Sequence, residues 1–232
     1  MRDTTEVNGQ IFIQGETIDL CVPNMEYEQI DQWYKWFNDP NTTRYLVNHG
    51  IYPNTRGRQE IFCKTLDESE DRLALLIRPK RQDHIVGTVS LSAIDYKQRQ
   101  CDLALVIGAH LSDVDSMFFA LESKCRMTEH AFELLGVERI NTYQVTDLAK
   151  WQNWQRRLGY HIEGVLRNKI RKGRKVYDVM VASCLVEDYL KLKEERAGTL
   201  WPGKEKMFKL LKDVPSENSI NNILELLRRQ RE

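Results

Sequence analysis

The stretch from Cys101 to Gly136 constrains the fold of this chain more than any other. It opens with a short apolar run, Leu103 to Ile107, which Gly108 closes, a pattern typical of a buried strand. After a polar turn, apolar residues recur at helical spacing and predict a helix that begins near Ser116. A buried strand that leads into a helix is a common phosphate-binding arrangement, because the helix N-terminus presents unpaired backbone N–H groups.

The patterns on either side of this stretch predict an α+β fold with a mixed, mainly antiparallel central sheet flanked by helices. Alternating or apolar runs separated by tight turns predict strands at residues 11–22 (a hairpin turning at Gly15), 73–77, 85–94, 137–145, 160–170 and 175–185. Apolar residues at helical spacing predict further helices at residues 26–37, 56–66 and 148–158.

The composition changes near Glu194, where Gly198, Pro202 and Gly203 interrupt the pattern. An amphipathic stripe follows, formed by Ile220, Ile223, Leu224 and Leu227. We therefore expect a main domain at residues 1–193 and a C-terminal helical extension at residues 194–232.

Charge and composition argue against several classes of partner. Acidic and basic residues balance at 34 each, so no global field attracts nucleic acid. The N-terminus MRDTTEVNGQ lacks the apolar core of a signal peptide, and no apolar run approaches the ~20 residues that span a bilayer. The five cysteines include no CxxC pair, which favours a reduced, cytoplasmic protein without a metal site.

Short motifs along residues 10 to 190 resemble the GCN5-related N-acetyltransferase (GNAT) superfamily, and specifically its branch of ribosomal-protein and amino-sugar acetyltransferases. The residues that carry the resemblance are Trp36-Phe37-Asn38-Asp39-Pro40, Ile85-Val86-Gly87, Asp102 to Gly108, Ala120, Glu122, Ala131 to Gly136, Arg139-Ile140, Leu158-Gly159-Tyr160, Glu163 to Arg167, Gly173 and Tyr177-Asp178-Val179. Each motif is weak by itself, and their shared order and spacing give the resemblance its specificity.

The resemblance implies an N-acyltransferase that moves an acyl group from acetyl-CoA, or another acyl-CoA, to a small-molecule amine such as an amino sugar or nucleotide-sugar. The backbone of Leu105, Val106 and Ile107 would then pair with the pantetheine arm. The turn and helix start at Ser116, Met117 and Phe118 would hold the pyrophosphate. Since the amine attacks the thioester directly, such an enzyme needs orientation, an oxyanion donor and a base.

Asp102 is the leading candidate for the base, because a single acid in an apolar strand has either a charged partner or a pKa raised by burial. It also stands where this branch often carries Glu. A structural salt bridge to an arginine is the alternative for Asp102. His49, His110 and His161 are the alternative bases.

The sequence departs from the family pattern at the phosphate loop. Asp113, Ser116 and Phe118 occupy the positions of the family's Arg or Gln, Gly, and Gly or Ala. Asp113 and Asp115 add negative charge that opposes phosphate binding, or they cap the helix.

The chain also departs from the pattern in the helix at residues 148–158. Leu148 and Gln155 replace the family's Asn and its proton-donating Tyr. Gln155 can donate a hydrogen bond but no proton, so Tyr143 or Tyr160 could substitute. These departures leave a non-catalytic binding or assembly module as the alternative function.

Two regions are candidates for acceptor binding. Trp36 and His49 belong to an aromatic helix and the loop after it, which form either a wall of the substrate cleft or, for the tryptophan, part of the core. Arg167, Lys172 and Arg174 belong to a basic hairpin with Lys169, Arg171 and Lys175. The hairpin is either a solvated face or a binding site for a phosphate-bearing acceptor or CoA. A homodimer is a further expectation.

Overall fold

A computed structural model describes residues 10–24, 30–46, 49–82, 84–108, 113–212 and 214. The chain divides into two compact units, Met1–Ile140 and Asn141–Glu232. Among the described helices, none has the length and apolar character needed to cross a membrane.

The first unit contains a five-stranded antiparallel sheet with strand order β1-β2-β3-β4-β5. Its strands are β1 (Ile11–Gln14), β2 (Ile18–Cys21), β3 (Leu73–Pro79), β4 (Gly87–Asp95) and β5 (Gln100–Ile107). Its helices are α1 (Ile30–Trp36), α2 (Pro40–Thr43), α3 (Arg56–Asp67) and α4 (Asp113–Glu133).

Helix α4 packs against one face of this sheet, where it contacts β2, β3, β4 and β5. The stripe predicted from the sequence is the buried side of the helix, since Phe118, Leu121, Cys125, Thr128 and Phe132 are all buried. Its last predicted member, Leu135, lies beyond the end of α4 and is half-buried. Leu91 and Leu103 stand opposite each other on β4 and β5 and are also buried. This prediction is confirmed, although the helix begins at Asp113 and not near Ser116.

Helices α1 and α3 supply an apolar cluster to the other face. Its buried members are Cys21, Trp33, Trp36, Phe37, Cys63, Leu76 and Ile85. Trp33 meets Phe62 of α3 edge to face, with ring centroids 5.6 Å apart. Val106 of β5 packs against the same cluster, so successive residues of β5 contact different layers of the unit.

Helix α2 is absent from the sequence-based prediction, whose first helix ends at Phe37 before Asp39-Pro40. Asp39 caps α2 by accepting a 2.9 Å hydrogen bond from the Asn41 backbone N–H. Proline fits the first helical position, because its N–H would lack an intrahelical partner there anyway. The same dipeptide therefore ends one helix and starts the next.

The second unit contains three strands in the order β6-β8-β7. They are β6 (Arg139–Val145), which crosses the boundary at Ile140, β7 (His161–Lys172) and β8 (Lys175–Leu185). Helix α5 (Ala149–Arg156) precedes β7, and α6 (Val186–Glu195) and α7 (Lys204–Lys212) follow β8.

The predicted fold class, α+β with mainly antiparallel strands and flanking helices, is confirmed. The stripe at Ile220 to Leu227 lies outside the described residues. The proposed boundary between residues 193 and 194 stays a prediction; α6 spans it.

Candidate functional site

Asp102 lies on β5 directly opposite Ser92 of β4, and Ala104 lies opposite Ser90. These four residues share the sheet face that carries Val106, because side chains alternate along a strand. Val106 packs into the apolar cluster, whereas Ala104 is exposed and the other three are half-buried. The apolar covering therefore ends between Val106 and Ala104. We call Ser90, Ser92, Asp102 and Ala104 the polar patch, and a small solute can reach it.

The cysteines are poorly suited to act as nucleophiles. All five are buried thiols. Burial, followed by the nearby Asp102 carboxylate, raises the pKa of the Cys101 thiol to about 12. Burial likewise raises the pKa of Cys21 and of Cys63. Because the thiolate is the reactive form, the local chemistry favours direct attack by an acceptor over an acyl-cysteine intermediate.

The predicted cofactor strand, which carries Leu105, Val106 and Ile107, ends at Gly108. The Gly108 N–H donates a 2.9 Å hydrogen bond to the Val86 carbonyl. Trp36 is buried beside Gly108, and a Cβ added at Gly108 would overlap its indole. The indole belongs to the apolar cluster, so the core-packing interpretation of Trp36 is correct. Its predicted contact with substrate remains untested.

The loop between α1 and α3 is closed by two hydrogen bonds between asparagines. Asn38 Nδ2 donates to the Asn54 carbonyl at 2.7 Å, and the Asn54 N–H donates to Asn38 Oδ1 at 2.7 Å. Within the loop, His49 stacks on Phe37 with centroids 4.3 Å apart, and Tyr52 is 72% exposed. His49 therefore contacts Phe37, a member of the apolar cluster.

The predicted phosphate-binding turn, Ser112 to Ser116, is mostly helical, because residues 113–116 belong to α4. Ser112 and the alternative base His110 fall outside the described part of the chain. Asp113 and Asp115 lie within the first turn of α4 and not ahead of it. Acidic residues in a first turn favour the helix through its dipole. Ser116 and Met117 are half-buried, and the side chain of Phe118 is in the core.

Glu122 is a fully buried carboxylate on α4 that sequence reasoning had included only within the family pattern. It accepts hydrogen bonds from the backbone N–H groups of Glu16 and Thr17 and, at 2.6 Å, from the Thr17 hydroxyl. Arg126 Nη2 lies 3.4 Å from it. A Cβ at Gly15 would overlap the Glu122 carboxylate and the Ile18 carbonyl. Glu122 thus fixes the β1–β2 turn on α4, and the sequence signal was an acid beside an apolar stripe.

Helix α5 in the second unit buries amide side chains. Gln155 is 2% exposed, and its Nε2 has no hydrogen-bond partner among the described residues. Gln152 donates from Nε2 to the Val145 carbonyl at 3.1 Å, while its Oε1 is buried without such a partner. Trp151 and Trp154 are only half-buried and meet edge to face. The two tryptophans therefore pack only in part, as half-buried side chains. The buried face of α5 carries the polar side chains Gln152 and Gln155.

The alternative acids and bases of the second unit occupy different surroundings. Tyr143 is 50% exposed, whereas Tyr160 is completely buried. His161 Nε2 lies 3.4 Å from Asp188 Oδ1, so this histidine already has a carboxylate beside it. Exposure makes Tyr143 the more accessible of the two tyrosines.

Arg167, Lys172 and Arg174 all lie on the β7–β8 hairpin. Arg167 and Arg174 are exposed, and Lys172 is half-buried. Burial lowers the pKa of the Lys172 ammonium. The hairpin register places Lys172 directly opposite Lys175. Of the predicted site residues, Asp102 and Trp36 belong to the first unit, whereas Gln155 and these cations belong to the second.

Comparison with known proteins finds a match to the acetyltransferase (GNAT) domain family at residues 19–161. The uncharacterized N-acetyltransferase p20 of Bacillus licheniformis is 22% identical over 173 residues, which cover 73% of this chain and 94% of that protein.

Solved structures show the same fold. A GCN5-related N-acetyltransferase from Brucella melitensis aligns with a TM-score of 0.67 and 18% identity, covering 88% of this chain and 94% of its own. Spermidine N-acetyltransferase from Vibrio cholerae, solved with CoA and spermine, aligns with a TM-score of 0.64 and 14% identity, covering 76% and 99%. At these identities the structural likeness shows the fold alone.

Proposed function

Since the chain belongs to the acetyltransferase (GNAT) domain family, we propose that it is an N-acetyltransferase that carries an acetyl group from acetyl-CoA to a small amine. The fold neighbour solved with CoA and spermine supports an acyl-CoA donor and an amine acceptor. Five buried cysteines that remain thiols support a reducing, cytoplasmic location.

The position of Asp102 in the polar patch is the observation that carries this proposal. Its carboxylate lies on the strand that the resemblance assigns to the cofactor, at the point where the sheet face becomes accessible. Asp102 accepts the proton that the amine nitrogen loses as it attacks the thioester carbonyl. The C–N bond forms, the C–S bond breaks, and CoA leaves as the thiolate, which a proton from water converts to the thiol.

In the second unit, Gln155 is the proposed hydrogen-bond donor to the cofactor. A buried amide N–H without a partner costs about 1–3 kcal/mol, and an acceptor on a ligand removes that cost. Its amide stabilises negative charge but supplies no proton, consistent with the role assigned to water above.

For the acceptor, we propose an amino sugar or a nucleotide-sugar. The hydroxyl groups of Ser90 and Ser92 flank Asp102 and Ala104 in the polar patch. Hydroxyl side chains both donate and accept, and therefore suit a ligand rich in hydroxyl groups. A polyamine offers cations only and would require more carboxylates than the one in this patch.

A second candidate function is a binding or assembly module that keeps the fold without catalysis. The acids at the start of α4 and the replacement of the family's tyrosine by Gln155 favour it. Such a module would bind CoA weakly or not at all and would release no thiol.

The test is thiol release from acetyl-CoA over a panel of amines: glucosamine, a nucleotide amino sugar, spermidine and a peptide. We expect release above the hydrolysis background with an amino sugar, and its loss in Asp102→Asn. Absence of release with every amine, with weak or no CoA binding, supports the module. Release with spermidine alone contradicts the sugar assignment and retains the transferase.

A further inference from the structure

The hairpin of β7 and β8 extends past the end of the neighbouring strand. The Thr146 N–H donates to the Asp178 carbonyl at 3.2 Å just after β6 ends at Val145. Among the described strands, the β8 residues before Asp178 pair only with β7. Tyr177, Val176 and Lys175 lie opposite Ile170, Arg171 and Lys172, respectively. Residues 167–177 therefore form a two-stranded segment beyond the end of β6, which we call the ribbon; Ile170 within it is buried.

The ribbon concentrates positive charge in a chain whose total charge is zero. It contains six cations and no acid: Arg167, Lys169, Arg171, Lys172, Arg174 and Lys175. All except Lys172 are exposed. At physiological ionic strength, salt screens exposed charges beyond ~8 Å. A partner bound at the ribbon therefore experiences the positive charge of the ribbon and not the zero net charge of the whole chain.

The exposed cations of the ribbon form no ion pair with any described carboxylate. Elsewhere in the described chain, Arg56 lies 2.9 Å from Asp31, and Arg126 lies 3.3 Å from Glu129. Nearby Asp178 uses one carboxylate oxygen to accept the Asn168 N–H at 2.8 Å. Among the described residues, the ribbon therefore carries five exposed cations without a carboxylate partner, whereas Arg56 and Arg126 lie beside carboxylates.

The cross-strand register adds a second indication. Lys172 and Lys175 stand directly opposite each other, and like charges in that position destabilise a hairpin. Burial also lowers the pKa of Lys172. An anionic ligand at the tip would remove the repulsion between the two ammonium groups.

We propose that the ribbon binds the phosphate backbone of double-stranded nucleic acid. A two-stranded ribbon fits the major groove of B-form DNA. Lys169 and Arg171, two residues apart on one face of β7, place cations ~7 Å apart, a separation that spans successive phosphates of a strand. The balanced total charge argues against nucleic acid as a partner, and this inference departs from that expectation on the local charge of the ribbon. It does not depend on the proposed acetyl transfer.

The shape of the ribbon distinguishes this partner from others. Small phosphate ligands occupy concave sites with converging groups, whereas five of these cations are exposed along the two strands of a hairpin. Membrane-binding segments present bulky apolar residues, but the tip here is Lys172-Gly173-Arg174. Single-stranded nucleic acid is held by stacking on accessible aromatic rings, and Tyr177, the ribbon's aromatic residue, is half-buried.

The test is fluorescence anisotropy of a labelled 20-base-pair DNA duplex with the full-length chain, without acetyl-CoA. If five cations contact phosphates, affinity should fall about 500-fold between roughly 50 and 200 mM salt. In Lys169→Gln with Arg171→Gln the fall should be about 40-fold, because about three contacts remain. The matched control, Lys64→Gln with Arg72→Gln, changes the charge equally at two exposed cations of the first unit and should match the parent.

Parallel measurements use an RNA duplex, single-stranded DNA and vesicles containing anionic lipid. Weaker binding to single strands and vesicles than to duplexes supports the proposal, and the two duplexes separate DNA from RNA as the source of the phosphates. Absence of duplex binding at about 50 mM salt overturns it. Equal affinities of the ribbon variant and the control, or preferred binding to vesicles, overturn it as well.

Discussion

Trp36 and Gly108 meet at the end of β5 with no space for even a methyl group between them. The indole is buried in the apolar cluster, and Gly108 directly follows the strand predicted to hold the cofactor. Glycine at this position is therefore explained by close packing, which ties the end of the strand to α1.

Gly108→Ala should destabilise the fold by about 1–3 kcal/mol, because the added Cβ overpacks the core against the rigid ring. Urea unfolding measures the change. Gly57→Ala is the control: Gly57 lies in α3 with no atom near its Cβ position, so alanine should be neutral or stabilising. Combining Gly108→Ala with Trp36→Ala should cost less than the sum of the two, and strict additivity would contradict the account.

Asp102→Asn should lower turnover by ~100-fold or more, the effect of a lost general base, while the melting temperature changes little. Glu68→Gln is the control, since it makes the same change at an exposed carboxylate that caps the end of α3 and has no role in the proposed chemistry. Steady-state kinetics with the best acceptor provide the measurement. Unchanged turnover in a folded Asp102→Asn protein would remove Asp102 from the mechanism.

Glu122→Ala should destabilise the fold by about 3–5 kcal/mol, because it leaves Arg126 and the donors of the β1–β2 turn without their buried acceptor. Glu129→Ala removes the other carboxylate beside Arg126, at 3.3 Å, and should cost about 0–1 kcal/mol because that contact is more exposed. Denaturant unfolding compares the two. Equal costs would show that the buried network contributes nothing beyond an ordinary ion pair.

Hydrophobic periodicity correctly predicted the antiparallel strands and the buried stripe of α4, because both depend on which residues leave water. It could not predict the partners of Glu122, since Thr17 lies 105 positions away in sequence. It also missed α2, where Asp39 and Pro40 together resemble a helix end as closely as a start.

The candidate site was less predictable than the fold. The sequence singled out Asp102 and Gln155, but the polar patch around Asp102 depends on the register of β5 with β4. Helix α5 buries Gln152 and Gln155 more completely than Trp154, against the ordinary preference for burying apolar groups. Polar burial of this kind depends on what fills the space beside the helix, and no local pattern encodes that.

His130 should make the fold sensitive to acid. Burial lowers the pKa of this imidazole, which packs edge to face with Phe12 at 5.3 Å. The unfolded chain binds the proton more tightly, so the contribution of His130 to stability is complete above about pH 6.5 and declines as pH falls below that value. His130→Phe should lose less unfolding free energy between about pH 7.5 and 5.5 than the parent. Identical losses in urea titrations at both pH values would contradict the assignment.

Isothermal calorimetry of acetyl-CoA binding tests the central claim most directly, in the parent chain and in Asp113→Asn with Asp115→Asn. We predict weak but measurable binding by the parent. Removing like charges in the first turn of α4 should tighten it by up to about 1 kcal/mol per charge. A chain that binds no acetyl-CoA before or after the double substitution would contradict the assignment of this protein as an acyl-CoA-dependent transferase.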